Sequence, residues 1–306
     1  MSARRGDGIV GDVGGALEVA LCETAGMPDT FAARFESARA KRGPLVWGLD
    51  PSGGLLEQWG LGDTADGLDR FVDTVLPAAA DAVGLVKPQS AFYERHGWRG
   101  VRTLTRLVAE ARNAGLLVIM DAKRGDIGST NDAYGDAYLG PGAPLAADAL
   151  TVTPYLGLGA MGSLVRRADQ AGSCLFVVVR SSNPEGRAVQ SALDPSGHSV
   201  EEVLLGQIGD LNRQLRPAGI GPVGAVVAPL ETQPRLELTA ARALFLAPGV
   251  GAQGATLEDV ANVFASCPDR VLPSVSRVLL AAGPDPARLR DAADTAAAEA
   301  RRLLRA

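Results

Sequence analysis

LLVIMDAKRGDIGSTN, residues 116–131, is the stretch on which the fold turns. Its apolar run, LLVIM, breaks off into Asp121, Lys123, Arg124 and Asp126. A run that is apolar at every position belongs to a strand covered on both faces, as in a parallel sheet. Charges at the tip of such a core element need a reason to be there. Asp121 and Lys123 are two apart, so as strand residues they point to the same side. Gly125 lets the chain turn sharply. Asp126 is then expected to cap the helix DIGSTNDAYGDAYLG, where an acid meets free backbone N–H groups.

Outward from this stretch the same pattern recurs. Strands are expected at 45–50, 83–88, 116–122, 149–155, 174–182, 223–228, 243–250 and 270–276. Helical patterns run between them, among them 64–82, 100–115, 199–215 and 285–305. Strand–helix repeats of this kind build either a closed barrel or an open doubly wound sheet. A helix is expected after each strand, and a (β/α)8 TIM barrel takes about 250 residues, which fits the span from near Phe31 to the end. The polar residues decide between the two. Asp50, Lys87, Asp121, Lys123, Ser182 and Arg277 each stand at or just after a strand's C-terminal end. A barrel gathers those ends into one ring, where active sites lie, whereas an open sheet spreads them along a line. The expectation is an α/β (β/α)8 barrel over 27–306, with its active site at the C-terminal ends of the strands.

Two accounts of the charged tip compete. The bland one is a strand-end salt bridge followed by a helix cap, worth little energetically. Against it stand Lys87 in GLVKPQSAFYE and Asp50 in WGLDPS, which emerge from strand ends in the same way. An alternating Asp/Lys array at a barrel mouth is costly to desolvate unless chemistry uses it.

The opposite side of the expected ring has an anion site's composition. APGVGAQGAT, 247–256, follows the seventh strand and opens a helix. Gly249, Gly251 and Gly254 let backbone N–H groups approach an anion, and a helix N-terminus adds partial positive charge. SVSR then delivers Arg277, whose planar fork suits two phosphate oxygens. Phosphate sites after strands seven and eight recur in barrels. Ser182 and Asn183, in RSSNP, either hydrogen-bond a ligand's ring edge or form a polar turn before Pro184.

Composition sets outer limits. The chain has 306 residues, 46% of them hydrophobic, enough for a large packed core. No apolar run reaches membrane-spanning length. A formal charge of −5 with no basic, aromatic-interleaved stripe argues against a nucleic-acid surface. Asp12, Glu18 and Glu23 interrupt any hydrophobic signal region, so 1–26 is expected to be a mobile N-terminal extension. Cys22, Cys174 and Cys267 are isolated and odd in number, which points to a reducing cytoplasm. His96 and His198 are expected on polar surface.

DAKRGDIGST resembles the Asp-x-Lys-x-x-Asp-Ile signature of the orotidine 5′-phosphate decarboxylase family. The blocks GLDPS, VKPQSAFYERHG, VTPYLG, RSSNP, LAPGVGAQGA and PSVSR are similar, in order, to its longer bacterial (type 2) branch. The resemblance implies conversion of orotidine 5′-phosphate to UMP and CO2 in pyrimidine synthesis, by a homodimer without cofactor or metal. It implies that Gln253 and Arg277 hold the phosphate, with Pro248 beside them. It gives Asp50 and Lys87 to the ribose hydroxyls and the charge network. It puts Asp126, Ile127 and Thr130 in the neighbouring subunit's site. Loss of CO2 directly from a pyrimidine carbon leaves a poorly delocalised carbanion, so the protein must stabilise charge and supply a proton. Lys123 suits both needs, and Asp121 would sit against the departing carboxylate.

Departures from the branch are VVAPLETQP in place of a Gly-Ala-Thr turn, Val278 in place of Gly, and DPSGG in place of a His-containing turn. Two alternatives remain open at this point. One is a Mg2+-dependent sugar-phosphate decarboxylase or aldolase of the same superfamily, whose acids hold a metal. The other is a non-catalytic nucleotide-binding protein.

Overall fold

The computed structural model describes residues 29–230, 235–251 and 254–305; the expected N-terminal extension lies outside them. Eight parallel strands follow one another in the sheet: β1 (Val46–Leu49), β2 (Leu85–Pro88), β3 (Leu117–Arg124), β4 (Ala149–Val152), β5 (Cys174–Arg180), β6 (Val223–Val227), β7 (Phe245–Val250) and β8 (Val271–Val275). β1 pairs with both β2 and β8, so the sheet closes into a barrel. All eight expected strands are present, and the open-sheet alternative is excluded.

Strand parity divides the core in two. Val46, Leu85, Leu117, Ile119, Ala149, Phe176, Val226, Leu246 and Leu272 pack together inside the barrel. Their neighbours Trp47, Val86, Val118, Met120, Leu150, Val177, Ala225, Phe245 and Val271 join the larger cluster beneath the helices. That alternation fixes which polar residues reach the barrel axis at the strand ends. Gly224 makes room inside, since a Cβ there would lie 2.7 Å from the Phe176 ring.

An element with no clear strand or helix signal closes the barrel floor. The helix Phe31–Arg42 starts on a Thr30 cap and ends at Gly43, whose φ is +83°. Phe31 and Phe35 insert into the inner cluster, with Phe31 edge-to-face on Phe176 at 5.9 Å. Each such buried phenylalanine contributes about 2–3 kcal/mol through removal from water. Arg34 ties the same helix to the floor by an ion pair with buried Asp148, whose other oxygen accepts the Val118 N–H at 2.8 Å.

The expected helices 64–82, 100–115, 199–215 and 285–305 appear as Ala65–Ala82, Gly97–Asn113, Val200–Leu215 and Pro286–Leu303. The expectation of a helix after every strand fails once. Among the described residues between β6 and β7 there is only a single 3-10 turn, Thr239–Ala241. Pro229, just past β6, lacks the N–H donor and the backbone freedom that a helix continuing there needs. Buried Asn212 secures the region instead, donating to Val223 O (2.8 Å) and Ala241 O (2.9 Å) while accepting the Val223 N–H (3.1 Å). No helix among the described residues is long and apolar enough to cross a membrane.

Candidate active site

Parity carries the charged residues inward. Lys87 follows Leu85 by two on β2, Asp121 follows Ile119 by two on β3, and Asp50 stands just beyond β1. They meet at one cavity of about 650 Å3 at the C-terminal end of the barrel. Asp50, Lys87, Asp121, Lys123, Ser182, Asn183, Pro248 and Arg277 all line it. Eight of the twelve expected site residues therefore share one pocket.

At its centre Lys87 Nζ donates to Asp121 Oδ2 at 2.8 Å, and Lys123 Nζ donates to Asp121 Oδ1 at 2.6 Å. Lys87 and Asp121 are buried, whereas the Lys123 side chain is half exposed to the cavity. Burial opposes the charge on Lys87, but Asp121 and Asp50 outweigh it and hold the ammonium above its ordinary value. Burial likewise pushes the Asp121 carboxyl up, and the two lysines push it further down, below its ordinary range. Lys87 and Asp121 therefore stay ionised at neutral pH, and the one carboxylate accepts from both lysines.

Three side chains outside the sequence expectation complete this centre. Thr151 on β4 donates its hydroxyl to Asp121 Oδ1 at 2.9 Å. The Gln89 amide, turned with its NH2 toward Asp121, lies 2.6 Å from Oδ2 and 3.2 Å from Oδ1. Ser276 lines the cavity beside Asp50. Its hydroxyl and Asp50 Oδ1 are buried without a hydrogen-bond partner among the described residues. Gly48 makes that proximity possible, because a Cβ there would lie 2.6 Å from Ser276 Cβ. Parity was the available signal for all three. Thr151 is two past inward Ala149, Gln89 two past Lys87, and Ser276 four past Leu272.

Of the four charges in the decisive stretch, only Asp121 and Lys123 face the cavity. Arg124 turns outward, ion-paired to Glu94 and donating to the Tyr138 hydroxyl at 3.0 Å. The capping role expected of Asp126 is not found. The helix is Gly128–Tyr138, its N-cap is Ile127, and no side chain caps it. Asn131 is the reason. Its amide accepts the Asp126 N–H at 3.0 Å and donates to the Asp126 carbonyl and to Ala160 O, fixing the Asp126 peptide ahead of the helix. The Asp126 carboxylate accepts the Ile127 N–H at 2.8 Å.

Asp126, Ile127 and Thr130 are not among the residues lining their own chain's cavity. Ile127 is 60% exposed, and Tyr155 (81%) and Leu156 (53%) stand similarly bare on the next loop, after β4.

At the other side of the mouth, Gly249, Gly251 and Gly254 all have positive φ, and Gly249 lines the cavity with Arg277. No carboxylate among the described residues pairs with Arg277. Gln253 lies outside the described residues. The helix after this turn, Leu257–Val263, is closed by a reciprocal capping box between Thr256 and Asp259. Two of its N-terminal amides are thus already satisfied, leaving Arg277 and the glycine turn as the principal anion-binding features. Ser182 and Asn183 line the cavity while Asn183 also forms a polar turn, accepting from Ser181 Oγ (2.7 Å) and donating to Glu185 (2.9 Å). His198 is exposed as expected; His96 is not, its side chain being 10% exposed against Asp63.

Comparison with known proteins gives a consistent result. Residues 44–292 match the orotidine 5′-phosphate decarboxylase / HUMPS family. The chain is 49% identical over 276 residues to the orotidine 5′-phosphate decarboxylase of Salinispora arenicola, covering 90% of this chain and 99% of that one. It is 49% identical over 274 residues to that of Streptomyces coelicolor, covering 89% and 98%. A crystal structure from Streptomyces avermitilis, provisionally given the same name, superposes with a TM-score of 0.87 at 45% identity, covering 94% of this chain and all of that one.

Proposed function

The chain belongs to the orotidine 5′-phosphate decarboxylase / HUMPS family and is a carboxy-lyase, and from that premise we propose a reaction path in which Lys123 protonates the carbon that loses CO2. The substrate is orotidine 5′-phosphate and the products are UMP and CO2, a step of pyrimidine synthesis. The observation that carries this reading is the Lys87–Asp121–Lys123 array facing the same cavity as Arg277.

The phosphate binds at the glycine turn after β7 and on Arg277, with Pro248 and Gln253 beside it. The ribose hydroxyls meet Asp50, whose unpartnered Oδ1 favours a donor from the ligand, and Lys87. Ser182 and Asn183 lie over the pyrimidine. With the nucleotide anchored at its far end, the C6 carboxylate faces Asp121. Like charges there raise the ground state, while Asp121 keeps the ammonium of Lys123 aimed at C6. As the C6–carboxylate bond breaks, its electron pair stays on C6. The Lys123 ammonium stabilises that charge and transfers a proton to C6, leaving UMP, CO2 and a neutral lysine that solvent reprotonates.

The metal-dependent alternative requires Asp121 to hold a divalent cation. Both its oxygens are instead committed to ammonium groups, which favours the electrostatic route.

Asp126, Ile127 and Thr130 act in the neighbouring subunit's site of a homodimer. Supporting this, they stand apart from their own cavity, and exposed Ile127, Tyr155 and Leu156 form an apolar set on adjacent loops. We read 27–306 as one catalytic domain and 1–26 as an appended extension. A cytoplasmic site of action follows from the cysteines, of which Cys174 and Cys267 are free and buried. The proton-donor assignment is tested with Lys123→Ala. That variant should lose decarboxylation while still binding UMP through the phosphate and ribose contacts; normal turnover would eliminate Lys123 as the donor.

A further inference from the structure

Lys123 has a backbone conformation that its residue type does not favour. Its φ is +46°, and Arg242 is the only other described non-glycine residue with positive φ. The cause lies in the pairing of β3 with β4. Met120 pairs with Leu150 and Arg124 pairs with Val152, so residues 121, 122 and 123 together face one residue, Thr151. A bulge of this size re-aims the strand's side chains and withdraws backbone groups from the ladder. It also makes the left-handed conformation at Lys123 dependent on whatever holds the bulge in place.

Thr151 is 1% exposed and makes both contacts that could hold it. Its Oγ1 accepts the Lys123 backbone N–H at 3.0 Å, replacing the ladder bond lost to the bulge. The same hydroxyl donates to Asp121 Oδ1 at 2.9 Å, the oxygen that receives Lys123 Nζ at 2.6 Å. One hydroxyl thus closes a ring that runs from the Lys123 backbone through Asp121 to the Lys123 ammonium. A hydroxyl has one proton to give and lone pairs to receive, and here both capacities are used.

We infer that Thr151 is a positioning residue for the decarboxylation: its hydroxyl fixes the backbone of Lys123 and the rotation of the Asp121 carboxylate, and so sets where the Lys123 ammonium stands. This rests on the reading of Lys123 as proton donor. Removing the hydroxyl frees the bulge to relax, and displacement of a reacting group by about 1 Å is enough to cost about 100-fold in rate. Anchoring of the nucleotide by Arg277 and Asp50 is unaffected by this change.

The test compares Thr151→Val, Thr151→Ala and Thr151→Ser with the wild-type chain, measuring kcat and KM for orotidine 5′-phosphate and calorimetric affinity for UMP. Thr151→Val and Thr151→Ala are expected to lower kcat about 100-fold, with KM and UMP affinity changed less than about threefold; Thr151→Ser should stay within about threefold of wild type throughout. Unchanged kcat in Thr151→Val overturns the inference, as does a Ser variant as impaired as Val, or a loss of UMP affinity that follows the loss of kcat. If Val and Ala variants fail to fold while Ser behaves as wild type, the hydroxyl serves folding and the positioning role is likewise overturned. Absence of turnover in the wild-type chain is a separate result, which would defeat the decarboxylase reading itself.

Discussion

Replacing Asp121 with asparagine keeps the shape of the central side chain and removes its charge. In the native chain that charge is shared between Lys87 Nζ at 2.8 Å and Lys123 Nζ at 2.6 Å. Lys123 is half exposed, so its pairing adds little to stability. Lys87 is buried, and depriving a buried ion of its partner costs about 3–5 kcal/mol. Asp50 also acts on Lys87, which sets the expectation at the lower end, about 3 kcal/mol. For a domain of this size that corresponds to a fall in Tm of roughly 5 °C. The pH dependence has a definite sign. The folded Asp121 carboxyl lies below its ordinary 3.8, so its stabilisation is complete above that value and drains away as pH falls toward the folded value. The folded Lys87 ammonium lies above its ordinary 10.5, so its contribution is complete below that value and is lost only as pH rises beyond it. Differential scanning calorimetry of wild type and Asp121→Asn at neutral pH, then across the acid range, measures both effects. The difference in Tm should be constant between about pH 5 and 9 and shrink on acidification. A variant melting within about 2 °C of wild type at neutral pH would refute the reasoning, because Lys87 would then need no buried counter-charge.

Two further outcomes follow from the site. If Arg277 holds the phosphate as proposed, Arg277→Ala should weaken UMP binding by about 10- to 100-fold, with the effect largely absent for uridine, which has no phosphate. If the site is shared between subunits, Lys123→Ala and Asp126→Ala homodimers should each be inactive, and mixing them under conditions of subunit exchange should restore activity in the heterodimers. Recovery of no activity from a mixture shown to exchange would confine Asp126 to its own chain.

Much of this architecture was legible because burial on both faces leaves a plain mark. All eight strands are apolar at nearly every position, and the polar residues that interrupt them do so at the C-terminal ends, where a barrel gathers them. The charges at 121 and 123 were readable for the same reason. Parity points Thr151 inward, but its role is not readable, since a threonine in a strand is an ordinary β-branched residue and its importance comes from the three-to-one register between β3 and β4. Asp126 resembled a helix cap by spacing alone, but Asn131 five residues later holds its peptide and shifts the helix start to Gly128. The helix Phe31–Arg42 carries Arg, Lys and Ser between its two inserted phenylalanines and the following strand, so its pattern gave little sign that it seals the barrel floor. His96 reads as surface in the sequence because its cover comes from Asp63, on a loop more than thirty positions away.

The central claim is that charge arrangement alone, from Lys87, Asp121 and Lys123, drives the loss of CO2. The most direct measurement is the decay of orotate absorbance when the purified full chain meets orotidine 5′-phosphate, with and without EDTA. The account predicts rapid decay at the same rate in both. A folded protein that leaves the absorbance unchanged, or one whose activity EDTA abolishes, would contradict it.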